Sequence, residues 1–213
     1  MKNSLAIIIT IVTLASCGNA QNKTSQFPAG NKQHSSNLAV ADFAEGCFWH
    51  AEIVFQSLEG VTDAVSGYAG GTNTKPDYET VCSGTTGHAE TVQVYYDPDK
   101  ISFETLIKAF FTSVDPTQLN GQGNDRGTQY RSIAFYRNEK EKQIIENEIK
   151  RLNQSKKYSG KIVTEVLPFT KFYPAEDYHQ EYIRNHPENG YVQHVSIPDY
   201  LEFRKEFNGK FKQ

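Results

Sequence analysis

Cysteine is scarce here: the 213 residues hold three. Cys17 falls in a leader-like segment, which leaves Cys47 and Cys82 for the folded domain. Two thiols exclude a disulfide framework. The six histidines are scattered, with no His-x-x-x-His or Cys-x-x-Cys spacing, so no metal is expected. Positive charge is not in excess. Lys and Arg number 22 against 25 Asp and Glu, a formal net charge of -3, and no basic stripe is present to neutralise phosphates. Nucleic acid is therefore not an expected partner. No Gly-rich phosphate loop occurs, because Gly121-Gln122-Gly123 lacks a strand-to-helix context, and no flavin or nicotinamide motif appears. What is present is a packed core. Hydrophobic residues make up 38% of the chain, with 13 Phe and 12 Tyr, which fits one medium globular domain.

The first residues read as a targeting element. Lys2 supplies a positive start, and Leu5 to Leu14 form an apolar stretch too short to span a bilayer. Leu14-Ala15-Ser16-Cys17-Gly18 resembles the bacterial lipoprotein lipobox, whose cysteine receives a diacylglycerol. The alternative is a plain secretory leader with an incidental Cys17. The expected organisation is a signal peptide over 1–16, lipidated Cys17 with a polar tether to residue 40, and the domain over 41–213. The expected location is exported and lipid-anchored to a bacterial membrane, on its periplasmic or cell-surface face. Monomer is the default state.

Val40 to Ala44 predicts a strand that leads into Cys47 at the start of a helix. There the helix dipole and free N–H groups favour a thiolate. Phe48, Ala51, Glu52, Phe55 and Leu58 continue at helical spacing, with Gly60 as the cap. Further strands are predicted over Val61 to Tyr68, Thr91 to Tyr96, Ser132 to Tyr136 and Ile162 to Leu167. Residues 71–89 and 115–128 read as loops. Helices are predicted after Ser102, over Glu139 to Gln154, and shortly after Pro174. The class is α+β: a two-layer sandwich with one mixed central sheet and helices packed on it. The strand order is not readable.

Reactive groups gather in four segments. These are Gly46-Cys47-Phe48-Trp49, Tyr78 to Ser83 with Gly87-His88-Ala89-Glu90, Gly123 to Ser132, and Glu176-Asp177-Tyr178-His179-Gln180. A thiol flanked by large aromatics suits a soft nucleophile beside an apolar pocket. Glu90, at a strand start, can be held dry enough to keep its proton. His88-Ala89-Glu90 also mimics the His-x-Glu of zinc deaminases, but no Pro-Cys-x-x-Cys follows.

Together the four segments resemble the peptide methionine sulfoxide reductases that act on the S-epimer. The resemblance covers residues 41 to about 190. It implies thiol-dependent reduction of methionine sulfoxide, free or protein-bound, with no cofactor. It implies Cys47 as attacker, Glu90 as acid, and Tyr78 and Tyr130 as donors to the sulfoxide oxygen. Phe48 and Trp49 would hold the methyl group, and Asp125 would order the pocket. His50 has no role assigned. Family members often resolve the resulting sulfenic acid with a tail cysteine, one of which follows a Gly-Tyr pair. Here Val192 follows Gly190-Tyr191, and no cysteine lies beyond Cys82. Either Cys82 resolves Cys47, or an external thiol does: a thioredoxin-like or glutaredoxin-like protein, or a small thiol. The external thiol is preferred. Two other readings stand beside this one: a Cys-His hydrolase pairing Cys47 with His88 or His179, and a ligand-binding lipoprotein without chemistry.

Overall fold

The computed structural model describes residues 37–213. The signal peptide, Cys17 and nearly all of the tether lie outside the described residues.

A six-stranded sheet runs through the domain in the order β7-β6-β1-β3-β2-β8. The strands are β1 (Ala39–Glu45), β2 (Val61–Ala69), β3 (Ala89–Tyr96), β6 (Ser132–Tyr136), β7 (Glu165–Pro168) and β8 (Phe172–Pro174). Neighbours pair antiparallel, except β6 with β7, which is parallel. The sheet is therefore mixed, as expected.

Four helices cover one face: α1 (Phe48–Gln56), α3 (Phe103–Ser113), α4 (Glu139–Ser155) and α6 (Ile197–Glu206). Phe43 of β1 is the hub of that layer. Its ring stacks 4.9 Å from Phe55 of α1 and 5.5 Å from Phe110 of α3. Each fully buried Phe contributes about 1.5–3 kcal/mol. The alternate residue Ala44 faces a smaller cluster of Ala69, Ala89, Ile133 and Phe135 on the opposite side. Local chemistry agrees with packing: the Ser102 and Asn138 side chains accept from Thr105 N–H and Glu141 N–H, capping α3 and α4.

Several expected boundaries move. Helix α1 ends at Gln56, and Leu58 instead bridges to Phe211. Gly60 (φ +94°) turns the chain into β2. The 71–89 segment holds a short helix, α2 (Tyr78–Cys82), started by an Asp77–Thr80 capping box. The long polar loop folds a small hairpin, β4 (Gly121–Gln122) with β5 (Asp125–Arg126). The expected strand from Ile162 begins at Glu165, because Val163 N–H is taken by Pro116 C=O. Pro174 opens no helix. It ends edge strand β8, where a missing N–H is tolerated, and a 3-10 turn follows over Asp177–His179.

Candidate active site

β1 delivers the chain to the site, and a single glycine turns it. Gly46 has φ +95°, and a Cβ there would lie 2.6 Å from the Cβ of Gln122. Only glycine fits. Cys47 follows as the N-cap of α1, its carbonyl accepting from His50 N–H and Ala51 N–H. The Trp49 and His50 N–H groups also reach its thiol. The sequence led us to expect a favoured thiolate, and the structure corrects this. Burial pushes the Cys47 thiol well above its ordinary value and the Glu90 charge pushes it further, outweighing those N–H groups.

Glu90 stands on β3 opposite Tyr68 of β2 and is 2% exposed. Its Oε2 accepts Phe48 N–H at 3.0 Å, which ties the acid to the first turn of α1. Burial raises its carboxyl to about 8 against the pull of that N–H, with the Asp125 charge adding to the rise. Glu90 therefore carries a proton at neutral pH.

A cavity of about 310 Å³ opens in front of these two groups. It is lined by Cys47, Phe48, Trp49, Tyr78, Glu90, Asp125 and Tyr130, which five separate parts of the chain supply. Asn189 and Tyr191 complete the wall. Tyr191 went unassigned in the sequence because it sits in a tail without clear periodicity. Its hydroxyl donates to Asp125 Oδ2 at 2.6 Å and lies beside the Cys47 thiol. Gly190-Tyr191 was noticed for the cysteine it lacks, and that pair was the available signal.

The Glu176-to-Gln180 segment works from behind. Glu176 accepts Tyr78 N–H at 3.0 Å and the Tyr68 hydroxyl at 2.8 Å. His179 Nδ1 accepts Trp49 Nε1–H at 3.1 Å, and Trp49 lies flat on Tyr182 at 3.7 Å. Gln180 binds Ser66 N–H and C=O, clamping the segment to β2. These residues position the aromatic wall.

Cys82 does not line the cavity. Its sulfur accepts from the Tyr78 hydroxyl, and burial raises its thiol. His88 is buried, with Nδ1 accepting Gly71 N–H and Nε2 against Asn73 C=O. Neither candidate histidine lines the cavity beside Cys47, and the Cys-His hydrolase reading falls. Among the described residues, no three His, Cys, Asp or Glu side chains gather as a metal site.

A thiol, a neutral carboxylic acid and two phenols around an apolar pocket suit attack on a polarised sulfur–oxygen bond. The family model described as peptide methionine sulfoxide reductase matches residues 39–211. The chain belongs to this family. A Picrophilus torridus peptide methionine sulfoxide reductase MsrA is 51% identical over 168 residues, covering 79% of this chain and 94% of the relative. Methionine sulfoxide reductase A of Corynebacterium diphtheriae superposes with a TM-score of 0.67 at 32% identity, covering 76% of this chain and 84% of that one. Saccharomyces cerevisiae Mxr1 in reduced form gives a TM-score of 0.68 at 32% identity, covering 74% and 91%. This reductase therefore returns methionine sulfoxide to methionine, a repair of oxidised protein. The non-catalytic lipoprotein reading is set aside.

Proposed function

We propose that Cys47 attacks the sulfur of methionine S-sulfoxide while Glu90 protonates the departing oxygen. The observation that carries this reading is Glu90 bonded to the first turn of the helix that Cys47 caps, with its carboxyl raised to about 8. The acid is loaded at the pH where the thiol must react. Tyr78 and Tyr130 hydroxyls hold the oxygen as charge develops on it. Phe48 and Trp49 take the methyl group, worth about 1 kcal/mol, which orients sulfur more than it tightens binding. Asp125, held by Tyr191, orders the far wall.

Methionine leaves, and Cys47 is left as a sulfenic acid. With no cysteine beyond Cys82, and Cys82 behind Tyr78, an external thiol reduces it. Yeast Mxr1 has been crystallised with Trx2, which is a property of that protein; a thioredoxin-like donor is one candidate class here. Free and protein-bound sulfoxide both fit a cavity open to solvent. The test is a single turnover without reductant. One equivalent of methionine from the S-epimer and none from the R-epimer, with the sulfenic acid mapped to Cys47, is the expected result. Equal turnover of both epimers, or a label on Cys82 alone, overturns it.

The protein is exported and held by lipid at Cys17. The leader pattern around Leu14 to Gly18 supports this. Fractionated cells should show the protein in membranes, and Cys17→Ala should release it. A membrane fraction indifferent to that change would sink the anchor.

A further inference from the structure

Cys47 has a second side. Behind it lies a smaller cavity of about 60 Å³, sharing Cys47, Asp125 and Tyr191 with the front one. Glu45 from the end of β1, His50 from α1, Ser113 from α3 and Ser196 before α6 face it. Four buried side-chain polar atoms lack a partner among the described residues, and three belong to this cavity: Glu45 Oε1, His50 Nδ1 and Ser196 Oγ. Glu45 is 1% exposed, with its other oxygen bonded by Ser113 at 2.8 Å. Buried polar atoms left without protein partners lose roughly 1–3 kcal/mol each, and a water bonded to several of them removes that loss.

The reaction also needs an acceptor for the Cys47 thiol proton. Cys47–SH plus the sulfoxide gives Cys47–SOH plus methionine. The sulfoxide S–O bond breaks, an S–O bond forms at Cys47, and two electrons pass from Cys47 sulfur to the methionine sulfur. The thiol proton must leave while the oxygen gains one. Glu90 is the donor to oxygen, so it cannot accept from sulfur in the same step. Asp125 is already bonded to Tyr191. We infer that the rear cavity is a second proton-handling site, in which His50 Nδ1, reached through water held by Glu45 and Ser196, takes the Cys47 thiol proton. His50 later releases that proton as solvent reloads Glu90.

Two observations support His50 in this role. Its other ring nitrogen bonds the Ser196 carbonyl, which leaves Nδ1 as the free lone pair. Burial holds the imidazole below its ordinary range, against the pull of the Asp199 charge and that carbonyl, so Nδ1 is unprotonated, and it takes the proton as attack on the sulfoxide makes the Cys47 thiol acidic. The ionisable groups facing the cavity are Glu45, Cys47, His50, Asp125, Tyr191 and Asp199.

The inference rests on Cys47 as attacker, and the test separates the two. The methionine burst without reductant is followed against pH in the full enzyme. His50→Gln should slow the burst at least about tenfold and abolish its acid limb, leaving reduction of the sulfenic acid by thiol unchanged. Asp199→Asn, an exposed change, should move that limb to lower pH, because the Asp199 charge raises His50. A wild-type burst in His50→Gln, a slower burst with the limb intact, or an unmoved limb in Asp199→Asn would each overturn the rear site alone. A full burst in Cys47→Ser would overturn the attack itself.

Discussion

Cys47→Ser removes methionine sulfoxide reduction by at least about 10⁴-fold, with the fold retained. The magnitude follows from what the step asks of the atom. Sulfur must accept oxygen and give up two electrons, and a serine hydroxyl can do neither. The rest of the site still binds substrate, yet without a nucleophile that binding does no chemistry. Loss of a nucleophile commonly costs this much or more. Single-turnover methionine formation at matched substrate occupancy reads it directly, and a residual rate within a hundredfold of wild type would reassign the attacker. Cys82→Ser is the paired control. Its sulfur stands behind Tyr78 and not on the cavity wall, so the burst should survive.

Glu90→Gln gives the second large effect, and it runs in two directions. Activity falls about 10²- to 10⁴-fold, because glutamine fills the space and accepts Phe48 N–H but has no acidic proton to donate. In the wild type the burst should decline as pH rises through about 8, where the acid is lost. In the variant that limb disappears. Stability moves the other way. The Glu90 carboxyl titrates near 4.5 when unfolded and near 8 when folded, so its contribution is complete below 4.5 and is lost as pH rises through 8. The glutamine variant escapes that loss and should be more stable than wild type at pH 9, by at most about 5 kcal/mol. Melting at pH 5 and pH 9 measures it. Glu45 and Glu52 are raised to about 8 by the same burial, so the wild type itself should melt earlier at pH 9. A Glu90→Gln melt indistinguishable from wild type at pH 9 would mean the carboxyl is not held dry.

The site was more legible than the fold around it. Cys47, Glu90, Tyr78, Tyr130 and Asp125 could be picked out because the short segments that hold them resemble those of one family. All five line one cavity. The helix of Phe103 to Ser113 was legible for a local reason: its apolar spacing and Ser102 cap are both read within one stretch of chain. Strand order was not legible, since pairing β1 between β3 and β6 depends on residues far apart. Pro174 misled because proline favours both a helix start and an edge-strand end, and only the neighbour β2 decides between them. The thiol's character was misread for a similar reason. A helix start is visible in sequence, whereas the burial that outweighs it is not. Tyr191 and His179 were missed as working parts because their roles exist only through partners, Asp125 and Trp49, in other segments.

Tyr191 also sets a condition on when the enzyme can begin to work. The pocket's last wall is contributed by a stretch that directly precedes the final helix, and that helix packs against α1 and α3. A nascent chain therefore carries its thiol, its acid and both phenols long before it has a closed site. Activity waits for Tyr191 and α6 to emerge, and a polypeptide released before them presents an unguarded cysteine in place of a repair enzyme.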